Sequence, residues 1–125
     1  MKVLLSIKPE FANKIFSGSK KFEFRKSIFR NKNISKIVVY ASAPVQRVIG
    51  EFEIEDILAS DPNSLWEKTH TQAGISKSFF DSYFKSRDIG YAIKIRDTVK
   101  YENPLLLSEN FNIRYAPQSF LYLDE

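Results

Sequence analysis

The side chains best suited to chemistry are concentrated near the N-terminus. Lys8, Lys20, Glu23 and Arg25 lie close together, with Lys20 and Glu23 three apart and Glu23 and Arg25 two apart. On a strand, the Glu23–Arg25 spacing puts both side chains on one face, about 7 Å apart. An Arg fork beside a carboxylate can bind a base edge or a phosphate, with the carboxylate orienting the guanidinium. The same pair can equally be an ordinary ion pair on an exposed strand. Further along, Gln118 and Ser119 follow Pro117, where an amide and a hydroxyl could read a base edge. Tyr40 and Tyr115 could each stack a base or simply pack, and Trp66 has the same two readings.

Most other chemistries are excluded by residue type. The chain has no Cys, which removes disulfides, a thiolate nucleophile and a cysteine zinc site. His70, the single histidine, sits among Thr69, Thr71 and Gln72 and reads as a surface residue. Glu51, Glu53 and Glu55 could chelate a hard cation, although strand alternation explains them as a polar outer face. Only four glycines are present, with no phosphate-cradling loop and no Gly-x-Ser-x-Gly elbow. No metal site and no cofactor are expected.

Charge supports the same region. Residues 8–37 contain nine basic and two acidic side chains, a balance of +7, whereas residues 51–67 hold six acids and no base. The chain as a whole carries +4. A basic stretch of this kind concentrates polyanions and steers their approach, or else is a solvated loop that aids solubility. The 125 residues, 43% apolar and 27% charged, fit one globular domain over 1–125. Uncharged stretches such as residues 37–46 are too short to span a bilayer, and Lys8 interrupts any signal-peptide core. A cytoplasmic protein with no membrane association is therefore expected.

These residues must be held by short elements. Residues 1–6 read as a strand, Pro9 as the first turn of a helix bearing Phe11, Ala12, Ile15 and Phe16, and Gly18 as its end. Residues 20–26 alternate, with Phe22 and Phe24 facing in and Lys21, Glu23 and Arg25 facing out. Lys8 and Lys20 then flank one short helix at the same sheet rim. Residues 36–43 read as a buried strand before a turn at Pro44, and residues 46–58 as a long strand that Gly50 bends. Asp61 and Ser76 are helix starts, the second for a segment carrying Phe79, Phe80, Tyr83 and Phe84. Residues 90–95 and 98–101 read as paired strands joined at Arg96-Asp97, residues 104–110 as a helix or turn, and residues 119–123 as the last strand. The sum is an α+β domain, a small, partly closed mixed β-barrel with inserted short helices.

The opening pattern Leu5-Ser6-Ile7-Lys8-Pro9, Ala12, Ile15, Gly18, Lys20 and Phe22-Glu23-Phe24-Arg25 resembles the signature of ASCH domains, PUA-like β-barrels related to RNA-binding modules. The resemblance continues through the Val48-Ile49-Gly50-Glu51-Phe52 centre, Gly90-Tyr91-Ala92-Ile93 and Ala116-Pro117-Gln118-Ser119-Phe120, so it spans essentially the whole chain. It implies a PUA-like barrel whose basic cleft beside the first helix takes RNA or a modified nucleoside, or other single-stranded nucleic acid. Lys8, Lys20, Glu23 and Arg25 match positions bordering that cleft. One branch hydrolyses acetylcytidine with a Lys, a Thr and a later Glu. Here Lys20 matches the Lys, Glu23 stands at the Thr position without a hydroxyl, and the Glu falls near Ala73. Some members are ribonucleases. The resemblance thus implies an RNA- or nucleoside-binding module, with a hydrolase of acetylated cytidine or RNA, working through Lys20 and Glu23, as the alternative; it names no protein partner.

Overall fold

The apolar N-terminal run forms β1 (Lys2–Ile7) in a computed structural model that describes residues 1–123. Pro9 starts α1 (Pro9–Ser17), and Gly18 ends it in the left-handed region at φ 90°, its N–H bonding back to the Ile15 carbonyl. β2 (Phe22–Arg25) and β3 (Lys36–Ala41) follow. The long β4 (Arg47–Ser60) then leads to α2 (Pro62–Thr69), a 3-10 turn (His70–Gln72) and α3 (Lys77–Tyr83). The expected helix starts hold: Asp61 accepts from the Ser64 N–H, and Ser76 accepts from the Phe79 N–H. β5 (Gly90–Leu105), α4 (Leu107–Asn110) and β6 (Phe120–Leu123) complete the chain.

The strands form one six-stranded sheet in the order β2-β5-β4-β3-β1-β6. β1 and β3 run parallel, joined through α1 and β2, and the other pairs are antiparallel. Among the described residues the sheet is open, with β2 and β6 as its edges, so the expected barrel is not closed by backbone pairing. Side chains bridge the gap instead. Arg25 on β2 donates from Nη2 to the Ser119 carbonyl just before β6, at 2.8 Å. The Tyr122 hydroxyl on β6 accepts from the backbone N–H groups of Arg30 and Asn31.

The curl buries both faces of several strands. Val3, Leu5, Ile7, Ile37, Val39 and Ile93 point inward onto Ala12 and Ile15 of α1, and Phe29 and Ile34 plug the same interior. Phe22, Phe24 and Ala92 point the other way onto Leu65, Phe80 and Phe84 of the helical layer. A third cluster joins Leu4, Val38, Tyr40 and Val48 to Leu107.

Two expectations change. Arg96-Asp97 is no hairpin turn, because β5 is continuous over 16 residues. Thr98 pairs with Phe52 and Ile95 with Ile54, so Arg96 and Asp97 together oppose the single Glu53 as a β-bulge. Pro104 belongs to β5, and only Leu107–Asn110 is helical. Gly50 does mark an irregularity, since Val39 pairs with Gly50 but Tyr40 with Val48. A Cβ there would lie 2.5 Å from the Val99 carbonyl oxygen and 2.6 Å from the Phe16 ring, so only glycine fits.

Candidate functional site

Between the end of β1, α1, β2 and α3 lies a cavity of about 300 Å³. Lys8, Lys20, Glu23, Arg25 and Gln118 all line it, as do Phe11, Phe24, Phe79 and Tyr83. The loop between Gly18 and β2 carries Lys20 inward, where it is only 1% exposed. Gly74 makes that possible: at φ +69°, its missing Cβ leaves the space that the Lys20 Cβ fills. The Lys20 Nζ donates to the Ala73 carbonyl at 2.8 Å and stands 4.8 Å from the Phe24 ring centre and 5.3 Å from that of Phe11. Its ammonium is thus held by one carbonyl and two aromatic faces.

Glu23 contradicts its expected outward position, being 6% exposed. Its register partner is Ile93 of the core, so the face opposite Phe22 and Phe24 is the inside of the curled sheet rather than water. Arg25 donates from Nη1 to the Glu23 Oε2 and to the Ser6 carbonyl, both at 3.3 Å. With its bond to Ser119, the guanidinium is fixed on three sides.

Burial pushes the Lys20 ammonium down to about 8, with the nearby Glu23 opposing that shift. Burial pushes the Glu23 carboxyl up, against the pull of Lys20 and Arg25. The cleft therefore holds a weakened base and a weakened acid side by side, under aromatic walls. Desolvation also raises the Tyr83 hydroxyl at its rim. Lys8 is exposed at the rim, with its Nζ 5.3 Å from the Phe79 ring centre.

The remaining sequence candidates lie elsewhere. Tyr40 is 8% exposed and packs in the third cluster, on the opposite side of β3 from the main core. Ser119 contributes its carbonyl to Arg25, and its hydroxyl lies 3.5 Å from that of Ser27. Trp66 packs on Phe80 at 4.9 Å, and Tyr115 is 76% exposed beside Arg114. Glu51, Glu53 and Glu55 each pair with a different partner set, Lys2 and Lys36, Arg96, and Lys94, and do not converge. The sequence places Phe79 and Tyr83 on a helix but does not mark them as site residues. Their signal was a second aromatic stripe: Phe79 and Tyr83 are four apart, beside Phe80 and Phe84, and one short helix cannot bury both stripes in the same layer.

Residues 5–99 match the family model of the ASCH domain. The chain belongs to the ASCH domain family. This ASCH domain is 34% identical over 123 residues to an ASCH domain-containing ribonuclease of Zymomonas mobilis, covering 96% of the chain and 82% of that protein. The crystal structure of ASCH from Zymomonas mobilis superposes with a TM-score of 0.91 at 32% identity, over 99% of this chain and 88% of that one. The chain is also 33% identical over 122 residues to large ribosomal subunit protein uL22 of Ureaplasma parvum, covering 97% of the chain. It spans only 39% of the length of that relative.

Proposed function

We propose that this ASCH domain binds RNA, holding one nucleoside in the cleft between α1, β2 and α3. The observation that carries the reading is that two buried ionisable side chains, Lys20 and Glu23, line an aromatic-walled cavity. Buried charges of this kind add little to stability, since well-packed apolar replacements are often neutral or stabilising. A base stacks against Phe79 or Tyr83, while Lys20 donates to a base carbonyl and Glu23 accepts from an exocyclic amine. Lys8, Arg25 and Gln118 border the opening, where a phosphate or ribose lies. The cavity is at the small end for ligand sites and suits a splayed single-stranded nucleotide rather than a duplex. The ribonuclease name of the Zymomonas relative agrees with RNA as the ligand.

The test is anisotropy of a labelled single-stranded oligoribonucleotide at low salt. Lys20→Met is expected to weaken binding by about tenfold or more, from loss of a charge-assisted hydrogen bond, with the fold retained. Lys8→Ala, at the exposed rim, is expected to weaken it less. Failure of the parent protein to bind single-stranded RNA at low salt removes the reading.

A second reading is favoured by the shifted Lys20 and Glu23: hydrolysis of RNA or of acetylated cytidine. In RNA cleavage the neutral fraction of Lys20 takes the 2′-hydroxyl proton as that oxygen attacks phosphorus. The P–O5′ bond breaks to leave a 2′,3′-cyclic phosphate, and the departing oxygen takes a proton from the neutral form of Glu23, the form that burial favours. Glu23→Gln is expected to abolish turnover without lowering the Tm; full turnover in that variant excludes Glu23 from the chemistry.

A further inference from the structure

A second cavity, of about 490 Å³, lies between residues 28–34 and the adjoining parts of β4 and β5. Ile28, Ile57 and Tyr91 form its apolar side, and the exposed Arg30 and Lys32 also line it. No acidic side chain does. Among the described residues, neither Arg30 nor Lys32 has a carboxylate partner, and the half-buried Tyr91 ring stacks on no other aromatic. An unpaired aromatic face beside unpaired cations is the composition of a single-strand binding surface.

The two cavities are linked by one cross-strand pair. Arg25 of the cleft and Tyr91 of the groove are register partners on β2 and β5, so their side chains leave the same sheet face about 5 Å apart. The chain running from Arg25 to Lys32 passes directly from one cavity to the other. Arg25 commits three N–H bonds to Ser6, Glu23 and Ser119, and a guanidinium carries five. Two of its donors are therefore left over for a linking phosphate.

We propose that this groove is a second subsite for the same RNA strand, holding the nucleotide adjacent to the one in the cleft. Its base lies on Tyr91, and its backbone is neutralised by Arg30 and Lys32. The inference rests on the reading of the cleft as an RNA site. It makes the ligand an oligonucleotide rather than a free nucleoside. The lack of acids and the direct continuity with the cleft favour RNA over a peptide in the apolar groove.

The experiment compares a labelled hexaribonucleotide with a nucleoside 5′-monophosphate, using the parent, Lys8→Ala, Tyr91→Ala, Tyr91→Leu and the double variant Arg30→Ala/Lys32→Ala. Tyr91→Ala is expected to lose roughly fivefold or more in hexamer affinity. Tyr91→Leu keeps the apolar packing but not the stacking face, so an equal loss there separates stacking from misfolding. The double variant, at exposed positions, is expected to lower the salt slope for the hexamer by about 1.4. The monophosphate, which ends within the cleft, keeps its affinity in the groove variants and binds more weakly in Lys8→Ala. Parent-like hexamer binding and salt slope in all groove variants, with Lys8→Ala still impaired, overturns the subsite while leaving the cleft intact. A parent that binds neither ligand overturns both.

Discussion

A lysine whose ammonium is pushed down to about 8 by burial destabilises the fold at neutral pH, and the size of that effect is testable. The gap from its ordinary value of 10.5 corresponds to on the order of 3 kcal/mol. Between about pH 8 and 10.5 the unfolded chain still binds this proton and the folded chain does not, so stability rises with pH across that window. Tyr83 and Tyr101, both raised by burial, act oppositely above about pH 10, because the folded state keeps their protons longer. Parent minus Lys20→Met therefore isolates the lysine. Denaturant midpoints should show the parent gaining on the variant from pH 8 to 10, and parallel curves would contradict the assignment. Glu23, raised in the fold, contributes stability below about pH 4.5 that is lost as pH rises through its folded value. Glu23→Gln is thus expected to be at least as stable as the parent at pH 7. Gly74→Ala should do the reverse: its Cβ would lie 2.5 Å from that of Lys20 at a positive φ, and we expect a loss of about 1–3 kcal/mol with Lys20 displaced. That Lys8, Lys20, Glu23 and Arg25 gather in one region was legible in the sequence, but the burial of Lys20 and Glu23 was not. Alternation assigns Glu23 to water only if one sheet face is wet, and a curled sheet removes that premise.

At the level of elements, α3 decides whether the cleft has walls. Phe80 and Phe84 anchor its inner side while Phe79 and Tyr83 cover the cavity. Phe80→Ala is expected to cost about 3–5 kcal/mol, and Ser76→Ala, which removes the cap, about 1 kcal/mol. The capping loss should weaken ligand binding more than it lowers the Tm, since it loosens the wall without emptying the core; a pure Tm effect would show that α3 is only structural. Helix starts at Pro9, Asp61 and Ser76 were readable because capping is local chemistry. The bulge at Arg96-Asp97 was not, because a polar pair between apolar runs has the same local signature in a turn and in a bulge. Only pairing with Glu53 on another strand separates them. The same applies to Tyr40, whose apolar neighbours Leu4 and Leu107 are remote in sequence.

For the whole molecule, the split of charge along the chain becomes a difference in pairing. The glutamates of β4 are matched by Lys2 of β1, Lys36 of β3, and Lys94 and Arg96 of β5. Lys8, Lys26, Arg30 and Lys32 have no carboxylate partner among the described residues, and Lys8 and Lys26 lie instead over the rings of Phe79 and Tyr83. Lys8, which lines the cleft, and Arg30 and Lys32, which line the groove, are therefore among the cations left free to meet a polyanion. Three or four phosphate contacts would give a log–log salt slope of roughly −2 to −3 for single-stranded RNA. A slope near zero would contradict an electrostatic contribution from these bases. No helix of the described residues is long and apolar enough to cross a membrane. The central claim, that the cleft holds a nucleoside, is tested most directly by NMR titration of the protein with a nucleoside 5′-monophosphate. Saturable shifts centred on Lys20, Glu23, Phe79 and Tyr83 are the expected result; saturable shifts centred on the Phe111–Tyr122 side of the sheet, or none at all, would contradict it.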